Sequence, residues 1–335
     1  MKEEVSQEAL PEKQGCCFLY PGQGSQYPGM GRDLWEASPK IRELFELASE
    51  ITRRDMKALI FDSSEEVLKR TDNTQPALTL INTAFKEYLK SRGLVSAGCA
   101  GFSLGEYSAL EDAGVISPED LFKLTALRGR LMQAAGDRFA SGGAPPGMAA
   151  VIGLPMEKVE ALLSSSEGGL AEVFPANYNA PAQIVLAGTA KGLGAAEEKL
   201  RAAGARRFIP LKVSAPFHCP LMAEAGAAFE AELEGYVFHD PCKNLYSNVS
   251  GGLVQTGAQA KALAAAQVTS PVRWTQEEET LGPEYRTLVE CGPGQVLAGL
   301  WKNSGLAGSR GPEVCLPCGR LEEAESLLAR QEKGI

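Results

Sequence analysis

Residues 94–114, LVSAGCAGFSLGEYSALEDAG, decide the fold that the sequence predicts. Small and apolar residues precede Ser103, and a helical stretch follows it and closes at Gly114, which predicts a strand, a sharp turn and a helix. The residues 101–105, GFSLG, match the G-x-S-x-G pattern, whose glycines let strand and helix pack around a strained turn. Ser103 is therefore a candidate nucleophile at a helix N-terminus. The alternative is a glycine-rich connection with an incidental serine.

Two further strands with glycine turns flank this stretch, one beginning CCFLYPGQGSQ at residue 16 and one beginning RTLVECGPGQ at residue 286. Between Gly136 and Ser214 the periodicity is β-α-β-β-α-β, which is typical of a ferredoxin-like unit. We therefore predict an α/β protein with a polar tail over 1–15 and a discontinuous catalytic domain over 16–136 and 215–335. A ferredoxin-like α+β subdomain is predicted over 137–214.

Composition excludes several classes of protein. The chain has 335 residues, 44% hydrophobic, and its 33 Lys+Arg against 42 Asp+Glu give a formal net charge of −9. That charge repels nucleic acid and anionic membrane surfaces, so neither is an expected partner. No run approaches the roughly 18 consecutive apolar residues of a membrane span, and the first residues carry no apolar signal core.

The eight cysteines lie mostly in apolar runs, which favours reduced thiols and no disulfides. Cys315 and Cys318 have the spacing of a redox or zinc motif. A structural zinc site needs four ligands, however, and the sequence has no second such pair. We expect no metal site and interpret these residues as small buried thiols.

A serine nucleophile needs a base, and the chain has two histidines. His218 follows the apolar stretch FIPLKVS and precedes a helix, which places it at the carboxyl end of a strand, where open α/β sheets gather their sites. His239 lies between Phe238 and Asp240 in a turn-like context, and we interpret it as a solvated turn residue. His218 is the predicted base.

Arg128 lies on a helix that opens at Ser117 with a hydroxyl cap and is predicted to run to about Gln133. Its neighbours three and four residues away are mainly apolar, so the guanidinium projects from an apolar stripe and needs an anionic partner. The sequence leaves two interpretations of this partner: an acidic side chain in an internal salt bridge, or a substrate carboxylate in a two-pronged contact.

The turn over residues 21–26, PGQGSQ, fails the dinucleotide pattern because Tyr27 stands where the third glycine belongs. Glycines on both sides of Gln23 instead let a backbone N–H approach a ligand closely.

Taken together, these motifs resemble the malonyl-CoA:acyl-carrier-protein transacylases and the acyltransferase domains of fatty-acid and polyketide synthases. The resemblance spans about 17 to 301 and rests on these motifs in the family's order: PGQGSQ, TQPAL, GFSLGEYSAL, LRGRLMQ, MAAVIGL, NYNAPAQIVLAG, VSAPFHCPLM, SPVRW and ECGPGQVLAGL. It implies an α/β-hydrolase-like core with a parallel sheet that carries a ferredoxin-like insert.

The resemblance also implies roles for individual residues. These are Ser103 as nucleophile, His218 as base, the backbone N–H groups of Gln23 and Leu104 as oxyanion hole, the main-chain carbonyl of Gln267 as the group orienting the histidine, Arg128 as the site of the malonyl carboxylate, and Phe217 as a mark of malonyl selectivity. The family usually has histidine before the nucleophile, whereas this chain has Phe102. A phenyl ring neither titrates nor donates a hydrogen bond, so the turnover rate and the lifetime of the acyl-enzyme become open questions.

The implied reaction is ping-pong transfer of malonyl from malonyl-CoA to acyl carrier protein, in a monomer without cofactor. An esterase, an acyltransferase for another acyl-CoA, and a non-catalytic carrier- or CoA-binding module are the alternatives. Because the family's carrier is usually acidic, Arg206 and Lys212, on one face of the strand before His218, are candidates for carrier docking. The expected location is the cytoplasm, or the stroma or matrix of an organelle if a transit peptide has been removed.

Overall fold

The computed structural model describes residues 14–141, 145–164 and 170–332. The strands of these ranges are β1 (Gln14–Tyr20), β2 (Gly98–Gly101), β3 (Gly147–Ile152), β4 (Val173–Ala180), β5 (Gln183–Gly188), β6 (Arg207–Pro210), β7 (Asn244–Leu245), β8 (Tyr285–Cys291) and β9 (Cys315–Cys318). The helices are α1 (Arg32–Ala37), α2 (Pro39–Thr52), α3 (Met56–Phe61), α4 (Glu65–Lys69), α5 (Thr71–Ser91), α6 (Gly105–Asp112), α7 (Pro118–Ser141), α8 (Met156–Ser164), α9 (Ala190–Ala202), α10 (Ala223–Leu233), α11 (Gly257–Ala266), α12 (Trp274–Leu281), α13 (Val296–Asn303) and α14 (Leu321–Glu332). None of the helices described is both long and apolar enough to cross a lipid bilayer.

The larger sheet is parallel, with the strand order β7-β2-β1-β8-β9. Its central strand β1 is buried on both faces, as parallel strands covered by helices are. Phe18 and Tyr20 pack in one hydrophobic cluster, whereas Cys17 and Leu19 pack in the other. This alternation follows from the two-residue period of a strand. The predicted α/β core with a parallel sheet is confirmed.

The smaller sheet is antiparallel, with the strand order β4-β5-β3-β6. Helix α8 lies between β3 and β4 in the chain, and α9 lies between β5 and β6, so the predicted β-α-β-β-α-β order is present. Val151 and Ile184 on one face pack with residues of α8 and α9. Met148 and Val185 on the other face join the main core. The second face can therefore form one wall of a site shared with the parallel sheet.

Helix α7 is longer than predicted, and the expected end near Gln133 is wrong because the helix continues to Ser141. Gly136 does not end it. A Cβ on Gly136 would lie 2.6 Å from the carbonyl oxygen of Ser214, so the glycine permits close packing against the chain that leads to His218. The predicted boundary at 136/137 falls inside α7, and the division into two domains remains a proposal.

The cysteines of the described residues are free, and all except Cys242 are buried. Cys315 and Cys318 belong to different hydrophobic clusters, which places their side chains on opposite faces of β9. Thiols on opposite faces cannot ligate one metal ion. Within residues 14–141, 145–164 and 170–332, no group of three or more His, Cys, Asp or Glu side chains could hold a metal ion.

Candidate active site

Ser103 lies directly after β2, in the turn that leads into α6. Its φ of 53° is in the left-handed region, which is strained for a residue with a side chain. A Cβ on Gly101 would lie 2.0 Å from the carbonyl carbon of Gly105, so glycine is needed for this close approach. The N–H of Ser103 donates to Oδ1 of Asn248 at 2.7 Å. The strained turn expected from the sequence is present, and Asn248 holds it.

His218 lies with Nε2 2.7 Å from Oγ of Ser103. Its Nδ1 lies 2.9 Å from the main-chain oxygen of Gln267. A carbonyl oxygen only accepts hydrogen bonds, so Nδ1 carries the hydrogen. Burial, followed by the charge of Arg128, lowers the pKa of His218 to about 4. The imidazole is therefore neutral at pH 7, and Nε2 is free to accept the proton of Ser103. His239 is exposed in a coil segment, as predicted.

The turn after β1 packs against the turn that carries Ser103. A Cβ on Gly22 would lie 2.3 Å from the carbonyl oxygen of Phe102, which explains why glycine precedes Gln23. Gln23 and Leu104 both line the cavity in front of Ser103. No acceptor within the part of the chain that the structure describes bonds the backbone N–H of either residue. Both N–H groups are available to an external oxyanion.

Arg128 lies on α7 and lines the same cavity, although only 1% of its surface is exposed. Its Nη2 donates to Oε1 of Gln267 at 2.9 Å, and its guanidinium carbon lies 5.3 Å from the ring centroid of Tyr107. Its Nε has no hydrogen-bond partner among the described residues. None of the salt bridges of those residues includes Arg128. The internal salt bridge is therefore not formed, and part of the planar fork is open to a ligand.

The cavity in front of Ser103 has a volume of about 160 Å³. Its apolar lining comes from the smaller sheet, from α7 and from the chain between β6 and His218, and includes Met132, Met148, Val185, Leu211, Val213 and Phe217. Phe102 also lines it and contacts Trp274 edge to face, with ring centroids 5.5 Å apart. The cavity is thus a small, mainly apolar pocket. Its polar side chains are those of Arg128, Ser103, His218, Gln23, Asn177 and Asn179.

Sequence reasoning missed the buried polar network behind Ser103. The side chain of Gln267 accepts from Arg128 and donates to the main-chain oxygen of Ser103 at 3.0 Å and to the carboxylate of Glu106. Asn248 donates to the carbonyl of Gly101 at 2.7 Å. Asn248 could have been found, because it follows β7 at the end of the sheet where parallel strands gather their sites. No pattern in the sequence indicated that the side chain of Gln267 joins Arg128 to Glu106.

The two candidate docking residues, Arg206 and Lys212, are both exposed. Strand β6 ends at Pro210, so the alternation predicted from Arg206 through Lys212 does not extend to Lys212. Leu211 and Val213 line the cavity, and the exposed Lys212 lies between them in the chain. The N–H of Arg206 donates to the carbonyl of Ile152, whereas that of Leu211 donates to the carbonyl of Met148, so Arg206 and Lys212 lie near opposite ends of β3. The two residues are not brought together at the cavity mouth.

Comparison with known proteins gives concordant matches. The family described as "Acyl transferase domain" matches residues 17–314. The malonyl CoA-acyl carrier protein transacylase of Bacillus subtilis is 40% identical over 288 residues, which cover 85% of this chain and 89% of that protein. The crystal structure of the malonyl-CoA:acyl carrier protein transacylase of Xanthomonas oryzae pv. oryzae has a TM-score of 0.86 at 36% identity, covering 94% of this chain and 98% of that one.

A type II PKS acyl-carrier protein in complex with its malonyl-transacylase is a further structural match. It has a TM-score of 0.83 at 34% identity and covers 95% of this chain and 100% of that one.

Proposed function

The chain belongs to the acyl transferase domain family, and on this premise we propose that it transfers the malonyl group of malonyl-CoA to the phosphopantetheine thiol of an acyl carrier protein. The observation that carries the choice of acyl group is Arg128. The buried guanidinium contacts no carboxylate directly in the described structure, since Glu106 is joined to it only through Gln267. Arg128 lines the cavity of Ser103, so it can pair with an anion that enters there. A malonyl thioester supplies that anion, whereas an acetyl thioester does not.

In the first half-reaction the Ser103 hydroxyl attacks the thioester carbonyl while Nε2 of His218 takes its proton. The N–H groups of Gln23 and Leu104 stabilise the oxyanion of the tetrahedral intermediate. The C–S bond then breaks, the proton passes from His218 to the departing sulfur, and CoA thiol leaves. A malonyl-serine ester remains, with its carboxylate on Arg128.

In the second half-reaction the carrier's thiol gives its proton to His218 and attacks the ester carbonyl. The intermediate collapses with cleavage of the ester C–O bond, and Ser103 recovers its proton. The main-chain carbonyl of Gln267 holds Nδ1–H in both half-reactions, so the imidazole keeps the tautomer that a base requires. No cofactor enters this scheme, since CoA arrives as part of the substrate.

Water competes with the carrier thiol for the ester. The pair between Arg128 and the malonyl carboxylate holds the acyl group in one pose, and Phe102 and Phe217 make two of the cavity walls apolar. Phe217 also limits the room beside the acyl group, which supports malonyl over branched acyl groups.

An esterase is the second candidate function. That mechanism predicts an Asp or Glu on Nδ1 of His218 and has no use for Arg128. Nδ1 instead contacts the carbonyl of Gln267. The geometry therefore favours the transacylase.

For the carrier, we propose docking at the cavity mouth through Lys212. Arg206 lies at the far end of β6 and is a secondary contact. We place the reaction in a reducing compartment, either the cytoplasm or an organelle.

Intact-protein mass spectrometry after brief mixing with malonyl-CoA tests the function. Wild type should gain one malonyl mass and lose it when holo-carrier is added, whereas Ser103→Ala should gain none. The exposed Ser250→Ala is the matched control and should be labelled like wild type. Labelled Ser103→Ala would refute the nucleophile, and steady hydrolysis of malonyl-CoA without carrier would indicate the esterase.

A further inference from the structure

Glu106 is a buried carboxyl group that the proposed mechanism does not use. It lies in the first turn of α6, three residues after Ser103, and is 4% exposed. Its Oε1 accepts the backbone N–H of Asn248 at 3.2 Å, and its Oε2 accepts from the side chain of Gln267. The same amide accepts from Arg128 through Oε1. Glu106 and Arg128 are therefore joined through a single amide group.

The orientation of this amide is determined by its partners. Arg128 can only donate hydrogen bonds, so the atom of Gln267 that faces it is oxygen. The nitrogen of Gln267 then faces the main-chain oxygen of Ser103 and the carboxylate of Glu106, both of which accept. The bridge thus favours a cationic group at one end and an anionic group at the other.

The other titratable groups that face Glu106 or Arg128 are Glu277 from α12, Tyr107 from α6 and His218. Burial raises the pKa of the Glu277 carboxyl well above its ordinary value, which favours its neutral form. Burial also raises the pKa of the Tyr107 phenol, which is therefore neutral at pH 7. His218 is neutral as well, since its pKa is lowered to about 4. Among the described residues of this cluster, Glu106 is the carboxyl group that a single amide joins to Arg128, and when ionised it counters the charge of the guanidinium.

The protonation of Glu106 is finely balanced. Burial raises its pKa to about 7, against hydrogen bonds from Ser247, Gln267 and Asn248 and against the charge of Arg128. A malonyl carboxylate on Arg128 would neutralise the charge that favours the ionised form and would add a second anion to a buried site with one cation. Two such anions cannot both stay ionised at low cost.

We propose that Glu106 balances the charge of the malonyl pocket. It counters Arg128 while the pocket is empty and takes up one proton from solvent when a malonyl carboxylate binds there. The carboxylate becomes a carboxylic acid, the hydroxyl of Ser247 can turn to accept its hydrogen bond, and the proton returns to solvent when the malonyl group leaves. This inference rests on the proposed function.

Acyl groups without a carboxylate bring no second anion, so they should bind without proton uptake by Glu106. Preference for malonyl over acetyl should accordingly decrease as the pH rises above 7, because an ionised Glu106 then opposes the malonyl carboxylate. A purely structural Glu106 would leave both the proton count and this pH dependence unchanged.

The test is calorimetric binding of malonyl-CoA and acetyl-CoA to Ser103→Ala, in phosphate and in Tris, whose ionisation enthalpies differ. The dependence of the binding enthalpy on buffer counts the protons taken up, and acetyl-CoA cancels any contribution from the CoA moiety. We expect malonyl-CoA to take up close to one proton more than acetyl-CoA at pH 8, and almost none more at pH 5.5. The difference should vanish in Ser103→Ala with Glu106→Gln and persist in Ser103→Ala with the exposed Glu119→Gln.

Equal proton counts for both thioesters at pH 8 would overturn the role of Glu106, as would a difference that survives Glu106→Gln. If Glu106→Gln does not fold, the comparison of pH 5.5 with pH 8 in Ser103→Ala decides alone. Failure of malonyl-CoA to label wild-type Ser103 would refute the proposed function instead, so the two failures are distinguishable.

Discussion

Replacing Arg128 by alanine should change the acyl selectivity of the enzyme far more than its fold. Arg128 is 1% exposed, its Nη2 donates to Gln267, and its Nε has no hydrogen-bond partner among the described residues. Removing one partner of a buried ion pair costs about 3–5 kcal/mol. At about 1.4 kcal/mol per factor of ten, kcat/KM for malonyl-CoA should fall roughly a hundredfold to a few thousandfold.

The acetyl thioester provides the internal comparison. Acetyl-CoA makes no pair with Arg128, so its transfer does not depend on the guanidinium. Its kcat/KM should stay constant or rise. Arg128→Lys should recover little malonyl activity, because an ammonium group cannot make a two-pronged contact with a carboxylate.

The assay measures the initial rate of CoA thiol release with holo-carrier as acceptor, for both thioesters. Arg130→Ala is the matched control, since Arg130 lies two residues further along α7 and is exposed. It should retain wild-type rates. Equal losses of malonyl and acetyl transfer in Arg128→Ala would show that Arg128 supports the fold and does not select the acyl group.

Three further outcomes are expected. The pKa of His218 is about 4 in the folded protein and about 6.5 in the unfolded chain. The free energy of unfolding should therefore decrease by up to about 3 kcal/mol as the pH falls from 6.5 to 4. Urea titrations should show this decrease in wild type, and His218→Gln should lack the contribution of His218. At low salt, Lys212→Glu should raise the KM for carrier several-fold and Arg206→Glu should raise it less, while acylation by malonyl-CoA stays unchanged. The exposed Lys158→Glu is the control and should leave this KM unaltered. An unaltered KM in Lys212→Glu would place docking elsewhere. Phe217→Ala should shift the ratio of malonyl to methylmalonyl transfer about tenfold toward the branched group, and an unchanged ratio would show that Phe217 does not limit the pocket.

Local patterns predicted much of this protein. The strand, turn and helix around Ser103 and the β-α-β-β-α-β order of the smaller sheet follow from periodicity and from glycines where chains approach closely. The predicted end of α7 near Gln133 was wrong because the helix continues through Gly136 to Ser141. Glycine at position 136 fits the close approach of the Ser214 carbonyl, a contact between residues far apart in the sequence. Propensity at one position cannot report such a contact.

By itself, the sequence predicted which side chains are candidates for chemistry: Ser103 in a strained turn, His218 as the base, and Arg128 on an apolar helix face. Only the tertiary structure decided the protonation and the hydrogen-bond partners of each side chain. It placed Nε2 of His218 2.7 Å from Oγ of Ser103 and a carbonyl behind the imidazole, and it left Arg128 without a salt bridge among the described residues. It also placed Gln267 between Arg128 and Glu106. The reason is physical, because charge state depends on burial and on partners distant in sequence, and these are set only when the chain has packed.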